Sequence, residues 1–228
     1  MIYFFDMNPG LLLIIAAMVI GMVARSKVNG TYRRYSAVPT GRGLTGAQTA
    51  RRILDSYGLA NIPVEQVQGH LTDHYDPRAG VLRLSQGVYS GSSVASVGIA
   101  AHEAGHAVQD AMAYGPFRIR QKLVPVAQLG SQMLFPLIMG GIFFHITSLY
   151  YIGAALYGAA LLFQIVTLPV EFNASSRAVV YLEQSGSITS GELTGVRKVL
   201  NAAAMTYVAA ALASLGQMIW LLLAGRRR

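Results

Sequence analysis

Long apolar stretches alternate with polar segments along this chain, and four of them reach the roughly 20 residues that a bilayer helix needs. They run over about 2–24, with an unbroken part at Leu11–Val23, then about 126–146, 149–170 and 203–224. Almost no loop separates the second from the third, so these two form a helical hairpin. Ahead of the first stretch, Asp6 is the only charge before Arg25, whereas a signal peptide carries positive charge there. That stretch reads as a retained anchor. The polar regions left over, 25–122 and 171–202, fall on the same side, because the hairpin crosses and returns.

Within 25–122 the pattern is finer. Thr45 followed by AQTARRILDSYGL predicts a capped helix that ends near Gly58. Val64–Gln68 and Gly80–Ser85 predict short strands joined through the turn-like DHYDPRAG. Ser92–Tyr114, dense in Ala and Gly, predicts a long helix stopped by Gly115-Pro116. Gly41, Gly43 and Gly46 spell G-x-G-x-x-G, but SAVPT before them makes a poor strand and no suitable βαβ unit follows. These glycines read as a linker to a helix N-terminus. No internal repeat or low-complexity tract interrupts the chain.

Composition sharpens this picture. Of 228 residues, 53% are hydrophobic and 12% charged, about half the charge of an average soluble domain. Cysteine is absent, which excludes disulfides, thiolate metal sites and a cysteine nucleophile. The net charge of +8 is distributed unevenly. Residues 25–122 hold twelve Lys and Arg and 171–202 hold three, Arg177, Arg197 and Lys198. Fifteen of the eighteen therefore share one side, and the positive-inside rule makes that side cytoplasmic. The same count sends Arg226–Arg228 outside, against the rule. The basic residues lie beside spans rather than in an aromatic-interleaved patch, so nucleic acid is not the expected partner.

The long Ala-rich helix carries AHEAGHAVQ, with His102, Glu103 and His106 spaced as H-E-x-x-H. Residues four apart share one helix face, so both imidazoles can reach one Zn²⁺ ion at about 2.0–2.1 Å. Glu103 lies one step round, placed to take a proton from a metal-activated water. A catalytic zinc site usually adds a third protein ligand and keeps one position for water. Asp110 lies about 12 Å along the axis from His102, too far for one ion. His145 lies near the far end of the second span, roughly 28 Å from its start. Glu171 emerges after the third span on the required side, and topology favours it. Glu183 and Glu192 satisfy sidedness as well. Pro169 commonly sits in a first helical turn, so a new helix starting there would put Glu171 and Ser175 on one face.

The runs AHEAGHAVQ, TLPVEFNASSRA and HLTDHYDPRAGVLRLSQGVY resemble the bacterial YugP-type neutral zinc metallopeptidases. The resemblance covers about Gly43 to Ala210. That family is similar in layout to gluzincin membrane peptidases, in which a transmembrane hairpin separates HExxH from a helix bearing a Glu ligand. The resemblance implies a zincin-like element, peptide-bond hydrolysis and Glu171 as the third ligand. In those gluzincins an Asp four residues after the Glu supports a ligand His. Ser175 stands at that position here, so the supporting role weakens or passes to Asn173.

Other ionisable groups have plainer readings. His70, His74 and Tyr75 lie beside the strand before the HExxH helix. His74 and Tyr75 are candidate donors to a tetrahedral oxyanion, against a surface or core role. The alternating VLRLS of 81–85 is either a sheet edge that takes up substrate or an inner strand. Asp6 and His145 read as interfacial anchors, and Trp220 with Tyr150-Tyr151 as an aromatic belt.

The expected fold is mainly α: a multi-pass membrane protein with about four transmembrane helices and a small cytoplasmic α+β element. Residues 1–228 form one domain in this reading. The expected function is that of a zinc-dependent endopeptidase of the bacterial cytoplasmic membrane, its catalytic parts 25–122 and 171–202 facing the cytoplasm. One Zn²⁺ per chain and a peptide or membrane-protein substrate are implied. The rival is a non-catalytic metal-binding membrane scaffold, which would have no use for Glu103. A transporter would need polar groups or broken helices at mid-bilayer, and these spans offer few. The sequence sets no oligomeric state.

Overall fold

The computed structural model describes residues 9–225. Asp6 and Arg226–Arg228, read above as an anchor and as a tail on the far side, lie outside the described residues. The elements in order are α1 (Pro9–Ser36), α2 (Gly46–Ser56), β1 (Val64–Val67), β2 (His74–Asp76), β3 (Val81–Ser85), α3 (Gln86–Tyr89), α4 (Val94–Ala111), α5 (Gly115–Phe143), α6 (Thr147–Gln184) and α7 (Ser190–Gly225). The chain divides into two compact units.

One unit takes residues up to Ala24, Arg118–Leu168 and Met205 onward. It is built from parts of α1, α5, α6 and α7, the four helices long and apolar enough to cross a membrane. Their large side chains point outward, as at Met18, Met22, Val23, Phe135 and Phe143, which is the arrangement a hydrocarbon solvent requires. Inside, small residues let backbones approach, with Gly130 beside the main chain of Leu156. Tyr150 departs from the expected aromatic belt. It is 2% exposed and its hydroxyl donates to the Leu221 carbonyl, while Tyr151 stays outside.

The second unit takes Arg25–Phe117 and Pro169–Ala204. Its sheet has the order β1-β3-β2, with β1 parallel and β2 antiparallel to β3. Val81, Leu82 and Leu84 of β3 are buried, so β3 is the inner strand rather than an edge. DHYDPRAG is only partly a turn, because His74–Asp76 forms β2. The reversal is confined to residues 76–80, where the Asp76 carboxylate accepts from Arg78 N and Ala79 N and Gly80 takes φ +64°. The Leu82 amide donates to Pro63 on the β1 side. Main-chain groups alternate along a strand, so the neighbouring Arg83 and Val81 face β2. Tyr75, opposite Leu82, then turns its own main chain away from the sheet.

α2 starts where the linker reading places it. Thr45 Oγ1 accepts from Gln48 N and Gln48 Oε1 accepts from Thr45 N, a reciprocal cap. Thr45→Ala is expected to lower stability by about 1 kcal/mol, read as a shift in the thermal midpoint of detergent-purified protein. α4 starts from Ser93, whose hydroxyl accepts from Ser96 N. Leu54, Leu82, Val97, Ala101 and Leu182 meet in one apolar core around α4.

Four helices outrun the expected boundaries, the first being α1, which runs on past Ala24 to Ser36. α5 begins at Gly115, eleven residues before Val126, so Gly115-Pro116 both ends the preceding segment and opens the next helix. α6 runs unbroken through Pro169, and no new helix starts there. α7 begins at Ser190, well before 203. In each case the helical pattern continues past the apolar stretch as residues of mixed polarity, so apolar length alone underestimates the helix.

Candidate metal centre

α4 brings His102 and His106 to one face, and α6 brings Glu171 against them. Glu171 Oε2 lies 3.2 Å from His102 Nε2 and 3.6 Å from His106 Nε2. The three donor atoms all lie within 4.8 Å of one another. A tetrahedral ion with bonds of 2.0–2.1 Å separates its ligands by about 3.3–3.4 Å, close to both of the carboxylate distances. Glu171 is 2% exposed and His106 7%. A carboxylate this deeply buried is costly without a cation beside it, and two imidazoles with a carboxylate are a donor set that zinc takes. The residues fit the ion.

Close approach of the helices rests on Gly105, the fourth residue of HEAGH. A Cβ there would stand 2.9 Å from the Ala174 carbonyl oxygen of α6. Gly105→Val is expected to force α4 and α6 apart and cut zinc retention while leaving helical content nearly unchanged. Metal analysis beside far-ultraviolet circular dichroism checks this.

The far nitrogens of the imidazoles are engaged as well. His102 Nδ1 lies 3.1 Å from Ser175 Oγ, so Glu171 and Ser175, one turn apart on α6, meet the same ring. His106 Nδ1 lies 3.0 Å from Gln109 Oε1, and the Phe117 ring packs beside this imidazole. Asn173 reaches the site at one remove, through Gln109. The Tyr75 main-chain N–H is directed at the Glu103 carboxylate and favours its charged form. Burial, chiefly, pushes its carboxyl up to about 7. The Glu171 and Asp73 charges add to the rise, while His102 and the Tyr75 amide oppose it.

The remaining candidates have other engagements. Tyr75 Oη donates to Asp110 Oδ2 at 2.9 Å, and the exposed His74 turns Nδ1 to the Thr72 carbonyl. Glu183 is exposed and pairs with Arg197 at 3.6 Å. Glu192 accepts from the Gly41 and Thr189 amides. His145 lies between α5 and α6 in the other unit, at φ +56°. Sequence reasoning missed Gln109, whose signal is a lone amide one turn past His106 on an otherwise small-residue helix. It also missed the Tyr75 amide, which no side-chain pattern announces.

The sequence model of a family described as "Putative neutral zinc metallopeptidase" matches residues 10–226. A protein of Bacillus subtilis (strain 168) named "Putative membrane protease YugP" is 48% identical over 207 residues, covering 91% of this chain and 92% of that one. No solved structure matches the chain.

Proposed function

Because the chain belongs to this family of neutral zinc metallopeptidases, we propose that it is a membrane-bound zinc endopeptidase. In this reading His102, His106 and Glu171 hold the metal and Glu103 moves the proton. The observation that carries it is the convergence of two imidazole nitrogens on one buried carboxylate oxygen, 3.2 and 3.6 Å away.

Bound zinc would supply a Lewis acid that polarises the scissile carbonyl and lowers the pKa of the attacking water. Glu103 takes the proton from that water on a carboxylate oxygen as the C–O bond forms. It then hands the proton to the amine nitrogen as the C–N bond breaks. The Tyr75 amide holds the Glu103 carboxylate in place through this exchange, and Ser175 and Gln109 orient the two rings. Tyr75 contributes its main chain, since its hydroxyl is engaged by Asp110. Metal analysis and proteolysis of a peptide library by detergent-purified protein test the reading. A protein without zinc, or zinc-loaded protein without cleavage, would refute it.

Residues 25–122 and 171–202 face the cytoplasm in this proposal, and the substrate is a peptide or a membrane protein. The chain has no cysteine, so single cysteines report sidedness directly. Ser36 and Ser190 are both exposed, whereas Ser187 is buried and unsuited to labelling. Ser36→Cys and Ser190→Cys should resist an impermeant thiol reagent in intact cells and react after lysis. Labelling of both in intact cells would reverse the orientation, and labelling of one alone would rule out the four-span arrangement.

A further inference from the structure

Gln109 is fully buried, and every polar atom of its amide is used. Oε1 meets His106 Nδ1 at 3.0 Å. Nε2 donates to the Val170 carbonyl at 2.8 Å and to Asn173 Oδ1 at 3.0 Å. Asn173 Oδ1 also accepts from Arg177 Nε at 2.8 Å. The direction of each bond follows from what its partners can do. A guanidinium only donates, so Asn173 must turn its oxygen to Arg177. That oxygen and the Val170 carbonyl only accept, so Gln109 must turn its NH₂ to them. Its oxygen is then left for His106, and an oxygen there requires a proton on Nδ1.

We propose that Arg177, Asn173 and Gln109 form a relay that sets the tautomer of His106, placing its proton on Nδ1 and its lone pair on Nε2, toward the metal. The proposal rests on the reading of His106 as a ligand. The two imidazoles are then unlike. The Ser175 hydroxyl beside His102 Nδ1 can donate or accept, so it imposes no tautomer on His102 from that side. Gln109 also ties α4 to α6 at Val170, one residue before Glu171, so one side chain both orients a ligand and spaces the helices that carry the set. Gln109, Asn173 and Arg177 are positioning residues.

Long-range nitrogen–proton spectra of metal-free protein labelled with ¹⁵N-histidine read the tautomer, and chelator competition reads zinc affinity. Metal-free wild type should show His106 protonated on Nδ1, its resonance identified by loss in His106→Gln. Gln109→Met, of similar length and apolar, should lose the Nδ1–H preference and weaken zinc binding about 10- to 100-fold. Asn173→Asp keeps an acceptor for both donors and should hold zinc within about threefold of wild type. Asn173→Leu should resemble Gln109→Met at a similar thermal midpoint. Nε2–H in metal-free wild type, or equal zinc affinity in Asn173→Asp and Asn173→Leu, would overturn the relay and leave the ligand reading intact. Unchanged zinc affinity in His106→Gln would instead overturn the ligand reading, while the tautomer measurement still decides the relay.

Discussion

Glu103→Gln is expected to keep one zinc per chain and lose proteolysis by a factor of about 10²–10⁴. The amide matches the carboxylate in size and can still accept from the Tyr75 amide, so the helix and its histidines stay in place. What it loses is basicity. An amide oxygen does not take a proton from water near neutral pH, so the transfer that starts peptide hydrolysis has no acceptor. At about 1.4 kcal/mol per decade the loss corresponds to about 3–5.5 kcal/mol of barrier. Metal analysis beside cleavage of a quenched peptide settles it. Equal activity, or stoichiometric loss of zinc, would show that Glu103 does not act on the water.

Glu171→Gln should strip zinc affinity by more than the roughly 100-fold that marks the upper end for loss of an outer hydrogen-bond partner. The substitution removes the one negative charge among the three donors and leaves a poor neutral ligand in a buried position. Glu183→Gln and Glu192→Gln should leave zinc affinity nearly unchanged, since the first pairs with Arg197 at the surface and the second accepts from main-chain amides. Chelator competition on all three proteins decides the assignment. If affinity falls for Glu183→Gln or Glu192→Gln alone, the third ligand is that residue.

Much of this site is legible in one dimension because helices repeat. The i, i+4 spacing of His102 and His106 survives folding as a shared face, and the spacing of Glu171 and Ser175 does so on α6. The return of the chain through a hairpin needs only two apolar runs with almost no loop between them. Other features were opaque for stated physical reasons. β2 is three residues long and polar, and it exists because β3 offers an open side. Pro169 reads as a helix start, yet preceding turns carry α6 through it. Tyr75 looks like an oxyanion donor because its side chain draws attention, while its engagement with Glu103 is made by the main chain. Gln109 could be recognised only once its neighbours on α6 were in place.

The outward turn of the Tyr75 amide has a consequence for how this protein could fail. Side chains and main-chain groups alternate along a strand, so a slip of β2 by a single residue against β3 reverses every one of them. The Tyr75 N–H would then point into the sheet and Glu103 would lose its tether. His102, His106 and Glu171 sit on helices and would be untouched. Asp73, whose carboxylate grips the Ser85 amide and hydroxyl, and the tight reversal at 76–80 both guard against that slip. If the proposed function holds, a misregistered molecule would still carry its metal and be inert, so metal content alone would overcount the active fraction of a preparation.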